Sequence, residues 1–382
     1  MRVISIITRG RSGALFFQSL LDGHPNISTI PGPFMSDFFN WYEKNKNLEL
    51  KSLINNFINN HNSIKSKNLE NFGFTKMGEK RDKILLINKK NFIKNFLSFF
   101  KKNNQLNRKT FFINLHLSYS LTIGHDIKNI DTILYYMHDY NFHNAQLIES
   151  DFPKTKFIYM VRETVQTIIS IINNYYDSDM LNLKRSYVIR NPFLLIKRHF
   201  YPLTKKKENH VFLKLEDLHL NSIDTMRKVC VFLNIKWHDN LLKSTFSKKK
   251  WWNYSSSQKI SGFNKSIVKE KKIEILSNFN LKVLNSLFYN VNKLFGYEDK
   301  SKKYNILLAI FLMIIVPFKF EILGFRSAEK KIKDIFFILY EYVLLRKVIV
   351  QTILMALSYK TQKKFPYLKK IKSHNVFINQ LK

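Results

Sequence analysis

The chain has 382 residues, of which 45% are hydrophobic and 15% aromatic. It can therefore bury a sizeable core, as one large domain or two ordinary ones, and is not a disordered chain. Its single cysteine, Cys230, excludes an internal disulfide framework, is typical of a reducing compartment, and lies in the helical run IDTMRKVCVFL, which predicts a buried apolar side chain. A formal net charge of +35 attracts nucleic acid, anionic lipid or anionic small molecules, but Lys, Asn, Ile and Phe are abundant throughout, so charge alone selects no partner.

The first predicted elements are a buried strand and a helix joined by a short basic turn. Residues 3–8 form a continuous apolar run, which is typical of a buried parallel strand. The helix that follows carries Leu15, Phe16, Ser19 and Leu20 on one face and ends at DGHPN, where His24 has the surroundings of a turn residue.

Strands and helices alternate along the middle of the chain. Residues 40–108 are polar and are interpreted as helices and loops that cover a sheet. Strands are predicted in KTFFINLHLSY (109–119), DTILYYMHDY (131–140), KTKFIYMVRE (154–163) and NHVFLKLEDL (209–218), and helices in HNAQLIESDFP (143–153), ETVQTIISIINNYY (163–176) and NSIDTMRKVCVFLNI (221–235), the last capped by Asn221 or Ser222. This alternation predicts a three-layer α/β fold with a central parallel sheet.

The composition changes after residue 300, which predicts an α/β domain over 1–300 and a helical segment over 301–382. The apolar runs at 306–318 and 334–359 are too short or too interrupted for spanning helices. For residues 304–359, buried helices, a basic amphipathic membrane-interface segment and a partner interface remain alternatives. Because the N-terminus lacks a secretory signal, we expect a cytoplasmic protein, membrane-peripheral if the second alternative holds.

The turn TRGRSGA (8–14) is a candidate anion site. It follows the first strand and opens the first helix, so its backbone N–H groups and the helix dipole favour an anion, with Arg9, Arg11 and Ser12 adding charge and a donor. The Walker A pattern requires a lysine that is absent here, and Gly10 and Gly13 are too close together. A nucleoside triphosphatase or nucleoside kinase is therefore disfavoured.

A second candidate site is KFIYMVRETVQTIIS. Arg162 ends the predicted strand and Ser170 follows in the helix, so a guanidinium and a hydroxyl could converge on one phosphate if ETV forms a loop. The alternative is a surface arginine with an unrelated serine in the helix interior.

These segments together resemble the sulfotransferases that use 3′-phosphoadenosine 5′-phosphosulfate (PAPS). The matching stretches, in the family's order, are RSGAL, LLDGHP, KFIYMVRETVQTIIS, KLEDL and VCVFLNI, and the resemblance covers roughly residues 2–265. It implies a P-loop-like α/β fold and sulfuryl transfer to a hydroxyl or amine of a saccharide, lipid or small metabolite, without a metal.

The resemblance also implies roles for individual residues. The loop Arg9, Gly10, Arg11, Ser12, Gly13 and Ala14 would surround the 5′-phosphosulfate, with Arg11 stabilising the bridging oxygen as the sulfuryl group leaves. Arg162 and Ser170 would bind the 3′-phosphate. The segment 247–266 would cover the nucleotide, where Trp251 or Trp252 could stack on adenine and Lys259 could reach a phosphate.

Two departures from the family pattern stand in this sequence. Ala14 and Leu15 replace threonines after RSG, which removes two hydroxyl contacts, and Glu163 and Thr164 replace Asp-Pro. The first departure implies backbone-only contacts, a weaker donor affinity, or lost activity.

The general base is open among three residues. His138 ends the strand before the KFIYMVRE strand, as the base does in cytosolic family members, and His116 ends FFINLH. Other members use a glutamate shortly after HP, and the stretch NISTIPGPFMSDFF offers only Asp37 there.

Two other classes of function compete with the sulfotransferase hypothesis. A non-catalytic nucleotide-binding or membrane-surface protein that kept the fold is favoured by Ala14 and Leu15. A nucleic-acid-binding protein is disfavoured, because the lysines are spread along the chain and no nucleic-acid module signature occurs. The acceptor and the oligomeric state are not specified by the sequence.

Overall fold

A computed structural model of the chain describes residues 1–8, 10–32, 35, 37–60, 73–102, 106–137, 142–176, 209–255, 258–269 and 276–297, and separate positions between 311 and 350. The described part is an α/β structure with helices on both faces of a parallel sheet. The predicted fold class is therefore confirmed.

The elements follow one another in this order: β1 Arg2–Ile7, α1 Ala14–Asp22, β2 Ile27–Thr29, α2 Phe38–Asn45, α3 Leu50–Asn60, α4 Lys89–Lys102, α5 Arg108–Thr122, β3 Thr132–Met137, α6 Phe142–Asp151, β4 Lys156–Val161, α7 Thr164–Tyr176, β5 His210–Lys214, α8 Leu215–Leu220, α9 Ser222–Leu233, β6 Thr245–Phe246, β7 Lys249–Lys250, β8 Asn253–Ser255, β9 Gln258–Ile260 and α10 Asn278–Leu294. The pairs β6–β7 and β8–β9 are antiparallel hairpins.

The central sheet has the strand order β2-β3-β1-β4-β5, with each neighbouring pair parallel. β1 lies in the middle, with Ile7 level with Met137 of β3 and with Tyr159 of β4. The chain leaves β1 toward β2 and β3 on one side and then crosses to β4 and β5 on the other. Ligands of open α/β sheets bind at such a switch point, outside the carboxyl ends of the strands.

The side chains of β1 alternate between two hydrophobic cores. Val3 and Ile7 belong to the core that lies against α2–α5, α7 and α10, whereas Ile4 and Ile6 belong to the core against α1, α8, α9 and the 74–85 segment. A central strand buried on both faces explains why its sequence is a continuous apolar run rather than an alternating one.

One predicted strand is wrong: residues 109–119 lie within helix α5. Asn107 caps this helix, because its side chain accepts the Thr110 N–H while the Thr110 hydroxyl accepts the Asn107 N–H. Phe111, Leu115 and Tyr119 recur at a helical spacing of four and are fully buried. The aromatic composition favoured a strand, and the capping box just upstream outweighed it.

Two smaller elements also differ from the prediction. The strand predicted over 209–218 ends at Lys214, and helix α8 follows it directly with Glu216 in its first turn. The short strand β2 was not predicted from the sequence. The helix predicted over 221–235 is confirmed as α9, where Asn221 holds the N-cap position without a side-chain capping bond.

The prediction for Cys230 is confirmed. The side chain is buried in α9, and burial raises the pKa of its thiol to about 11, so it stays protonated at neutral pH. No helix in the described residues is both long and apolar enough to cross a bilayer.

The C-terminal segment lies mostly outside the described residues. At the separate positions that are described, large apolar side chains such as Phe311, Phe336, Tyr340 and Val343 are exposed. Contact of residues 304–359 with a membrane or a partner stays a prediction.

Asp22 at the end of α1 makes a pH-dependent contribution to the stability of the fold. Its buried carboxylate accepts the Thr245 hydroxyl at 3.3 Å and backbone N–H groups of Ser247 and Lys248, and burial raises its pKa to about 7. The folded state therefore holds a proton that the unfolded state releases, so the contribution to stability is fully present at low pH and lost as the pH rises through 7.

We expect Asp22→Asn to remove this pH dependence. Between pH 5 and 8 the wild-type free energy of unfolding should lose about 2–3 kcal/mol from this carboxyl group, and the variant should not lose it. Urea unfolding at both pH values measures the difference, with Asp82→Asn as a control because that side chain is 52% exposed. An equal pH dependence in wild type and Asp22→Asn would contradict the assignment.

Candidate functional site

The loop after β1 folds back on itself at the carboxyl edge of the sheet. The Gly10 N–H donates to the Thr8 hydroxyl at 3.2 Å, and the hydroxyls of Thr8 and Ser12 lie 3.2 Å apart. The backbone φ is positive at Gly10 (80°), Arg11 (53°) and Gly13 (81°). A positive φ is uncommon for a residue such as arginine, and backbone strain of this kind clusters at binding sites.

Gly13 links this loop to helix α1 and to α8. The φ of 81° at Gly13 lies in the left-handed region that favours glycine, and a Cβ atom built there would lie 2.3 Å from Cδ1 of Leu215, so another residue would be strained and would displace that side chain. Gly13 is also the N-cap of α1 and provides no side-chain cap, which leaves the backbone N–H groups of the first turn, from Ala14 onward, for an anion. Arg9 lies outside the described residues.

Arg11 connects the first loop to helix α7. Its Nε donates to the Ser170 hydroxyl over 3.2 Å, although the two residues are 159 positions apart in sequence. The two candidate segments from the sequence therefore form one site, with Ser170 bonded to Arg11.

Arg162 lies directly after β4 and is 7% exposed. Its Nη2 donates to the Ile267 carbonyl at 3.4 Å. Burial lowers the pKa of Arg162, while the negative charges of the Glu216 and Glu163 carboxylates raise it. Arginine stays protonated in proteins, so the part of the site around Arg162 contains a buried cation.

Glu163, one of the two residues that replace Asp-Pro, caps helix α7. Its Oε1 accepts the Val165 N–H at 3.0 Å and its Oε2 accepts the Gln166 N–H at 2.6 Å. A carboxylate at a helix N-terminus satisfies backbone donors and complements the helix dipole. The departure from the family pattern thus leaves a well-formed turn after Arg162.

Two other positions that depart from the family pattern, Ala14 and Leu15, carry no hydroxyl. Ala14 is buried in the first turn of α1, and Leu15 packs against the core on the α1 face of the sheet. The hydroxyls that remain in the first loop are those of Thr8 and Ser12.

The two tryptophans proposed for adenine stacking are engaged elsewhere. Trp251 is 1% exposed and packs edge-on against Phe246 at 5.5 Å between ring centroids. The Trp252 Nε1–H donates to the Gly78 carbonyl, and the Arg81 and Lys250 cations lie over its ring. Trp252 is half-buried, and stacking of either ring on adenine stays a prediction.

Lys259 lies in strand β9, paired with Tyr254, and its side chain is not among those described. Beyond β9, the short 3-10 helix Lys265–Val268 packs against α8 and brings Ile267 to Arg162. This segment, rather than the tryptophans, lies beside the buried arginine. No sequence motif points to this segment beyond its position within 247–266.

The three candidate bases occupy different places. His138 lies outside the described residues, directly after Met137, whose carbonyl accepts the Thr8 N–H at 3.2 Å. Asp37 is exposed at the N-terminus of α2, and its carboxylate accepts the Asn40 side-chain amide at 2.9 Å.

His116 lies in the middle of α5 rather than at a strand end. It is 1% exposed, its ring packs against Phe112, and burial lowers its pKa to about 3. Its carbonyl accepts the Ser28 hydroxyl, and Ser28 pairs with Ile133, four residues before the end of β3. That is about 13 Å along the strand from the carboxyl edge, so the geometry places His116 away from the loop.

His24 is buried and braces the turn after α1, as its sequence context predicts. Its Nε2 lies 2.9 Å from the Lys236 carbonyl and its Nδ1 accepts the Asn26 N–H at 3.2 Å. Both ring nitrogens therefore have structural partners.

Comparison with known proteins gives one family match. A family model described as "Sulfotransferase family" matches residues 4–239, more than half of the chain. A search of curated proteins found no match.

Two solved structures are similar to this chain. The "Sulfotransferase Domain from the Curacin Biosynthetic Pathway" is 15% identical, with a TM-score of 0.45 over 78% of this chain and 98% of that one. The "Sulfotransferase Domain from the Synechococcus PCC 7002 Olefin Synthase" is 14% identical, with a TM-score of 0.33 over 64% of this chain and 77% of that one.

Proposed function

Because the chain belongs to the sulfotransferase family, we propose that it transfers a sulfuryl group from PAPS to a hydroxyl or amine of a saccharide, lipid or small-metabolite acceptor. The observation that carries the proposal is the 3.2 Å contact of Arg11 with Ser170. It joins a strained, basic, glycine-containing loop to the segment that carries Arg162, so one site offers cationic and hydroxyl groups to both ends of a nucleotide with two phosphate-type groups.

The residues present fit such a donor. The backbone N–H groups at the start of α1 and the Arg11 guanidinium suit the 5′ group, while the buried Arg162 cation suits a second anion at the 3′ position. The donor supplies the sulfuryl group when bound. Arg11 and the helix dipole hold the developing negative charge of the leaving phosphate, which is the largest electrostatic demand of an in-line displacement.

The proposed base is His138. It follows Met137 at the carboxyl end of β3, and this strand end is bonded to Thr8 at the start of the loop. A histidine there would remove the proton of the acceptor as the sulfuryl group arrives. Asp37 remains the second candidate, and His116 is disfavoured by its burial and by its distance from the loop.

A second candidate function is a nucleotide-binding protein without transferase activity. The specific observation that favours it is the pair Ala14 and Leu15, both of which pack toward the core and offer no hydroxyl to the 5′ group. This alternative keeps donor binding and loses turnover.

A transfer assay distinguishes the two functions. The full chain is incubated with PAPS and a panel of saccharides, lipids and hydroxylated metabolites, and release of adenosine 3′,5′-bisphosphate is followed by mass spectrometry. We expect acceptor-dependent release and a sulfated product, with His138→Gln slower by about 10²–10⁴-fold at unchanged bisphosphate affinity. Bisphosphate binding without product from any acceptor would favour the non-catalytic alternative.

A further inference from the structure

We infer that Tyr297 and Asn292 are positioning residues, which keep the Arg162 guanidinium free of its neighbouring carboxylates so that it can bind the 3′-phosphate of the donor. The inference rests on the proposed function. Both residues lie beyond the 4–239 region that matches the family model, at and just after the end of α10.

The starting observation is a buried arginine that forms no ion pair with the carboxylates beside it. Among the described residues, the Arg162 side chain makes one hydrogen bond, to the Ile267 carbonyl, which leaves most of its five N–H donors for another partner. Yet Glu216 and Glu163 are close enough for their charges to raise the Arg162 pKa. Hydrogen bonds to other residues must therefore keep the two carboxylates from pairing with Arg162.

Tyr297 holds the Glu216 carboxylate through a hydrogen bond. The Tyr297 hydroxyl donates to Glu216 Oε2 at 2.9 Å, and the Glu163 N–H donates to Glu216 Oε1 at 3.1 Å. Each oxygen of this half-buried carboxylate thereby accepts one hydrogen bond. The second bond also fixes the backbone immediately after Arg162, so the arginine and the carboxylate are held in one arrangement.

Asn292 does the same for Glu163. Its side-chain amide donates to Glu163 Oε1 at 2.6 Å, and its Oδ1 accepts the Thr164 N–H at 3.2 Å. Together with the helix-capping bonds of Glu163, this directs the second carboxylate toward the start of α7. Asn292 therefore joins α10 to the turn that carries Arg162.

The Tyr297 ring is itself anchored. The Lys214 ammonium lies 5.0 Å from the ring centroid and donates to the Gly296 carbonyl at 3.1 Å. Phe295 is 1% exposed and packs on Phe212 of β5 at 5.2 Å. The end of α10 is thus fixed to β5, next to β4, which Arg162 directly follows.

Loss of these bonds would let a carboxylate compete with the 3′-phosphate for Arg162. Removing the Tyr297 hydroxyl leaves Glu216 Oε2 without its donor, and Arg162 is the cation whose charge acts on that carboxylate. A carboxylate–guanidinium pair would then compete with a phosphate for the same N–H donors. The loss should be specific to ligands that carry a 3′-phosphate.

Calorimetric titration of the full chain with adenosine 3′,5′-bisphosphate and with AMP tests the inference. We expect Tyr297→Phe to weaken bisphosphate binding about 10-fold and to leave AMP binding unchanged. The double variant Tyr297→Phe/Glu216→Gln should recover part of the loss, because the amide no longer pairs with Arg162. Tyr289→Phe, the same substitution within α10, is the matched control and should bind like the wild type.

The possible results distinguish a failure of this inference from a failure of the proposed function. If wild type prefers the bisphosphate and Tyr297→Phe keeps that preference, the inference is wrong and the proposed function stands. Equal loss of both nucleotides in Tyr297→Phe would also contradict it, since a merely structural defect acts on both. A wild type without any preference would overturn the proposed function and this inference with it.

Discussion

Replacement of Arg11 by alanine should lower the turnover of sulfuryl transfer by about 10²–10³-fold, the cost typical of removing one fixed donor to a developing charge. Arg11 has a backbone φ of 53° and its Nε is bonded to Ser170, so the guanidinium is held in the loop at the start of α1. The variant residue would adopt the same left-handed backbone, so the comparison isolates the side chain. The transfer assay measures the effect once an acceptor has been found.

Two further variants sharpen this expectation. Arg11→Lys keeps the charge and loses the planar fork, so its turnover should lie between wild type and Arg11→Ala. Arg227→Ala removes an exposed arginine of α9 and should leave turnover unchanged. Turnover of Arg11→Ala within threefold of wild type would show that Arg11 does not stabilise the leaving group.

Replacement of Arg162 by alanine should abolish the preference for adenosine 3′,5′-bisphosphate over AMP. Two charge-assisted hydrogen bonds to a phosphate contribute about 3 kcal/mol, equivalent to roughly 10²-fold in affinity. The substitution also leaves Glu216 and Glu163 without their buried cation, so thermal stability should fall. The ratio of the two affinities is compared within one variant and is therefore insensitive to partial unfolding.

The same control variant serves here. Arg227→Ala removes one positive charge from the surface, so it reports any loss of affinity that comes from net charge alone. A full bisphosphate preference in Arg162→Ala would mean that the 3′-phosphate binds elsewhere.

The parts of the fold that the sequence predicts are those with a local signal. The strands β1, β3 and β4 are short apolar runs ended by polar residues, and α1 and α9 have helical spacing with turn residues at their ends. The order of strands in the sheet has no such signal, because it depends on which faces pack together over long distances in sequence.

The errors arise where local signals conflict. In α5 the run FFINLHL has the aromatic and β-branched content of a strand, and it is a helix because Asn107 and Thr110 form a capping box and Phe111, Leu115 and Tyr119 pack on one face. The prediction that His116 ends a strand failed with it.

The sequence motifs could identify candidate residues of the site, but they could not identify the distant residues that hold those side chains in position. The family-like stretches pointed to Arg11, Arg162 and Ser170, and the structure joins Arg11 with Ser170. Asn292 and Tyr297 lie 129 and 81 residues from the side chains they bond, Glu163 and Glu216, and belong to no motif. Contacts of this kind follow from tertiary packing alone.

On our proposal, the loop after β1 and the residues around Arg162 together bind a nucleotide with phosphate-type groups at both its 5′ and 3′ positions. Calorimetric titration of the wild-type chain with adenosine 3′,5′-bisphosphate, AMP and ATP tests it most directly. We expect the bisphosphate to bind at least 10-fold more tightly than either of the others, because only it carries the 3′-phosphate that Arg162 would hold. Weak and equal binding of all three nucleotides would contradict it.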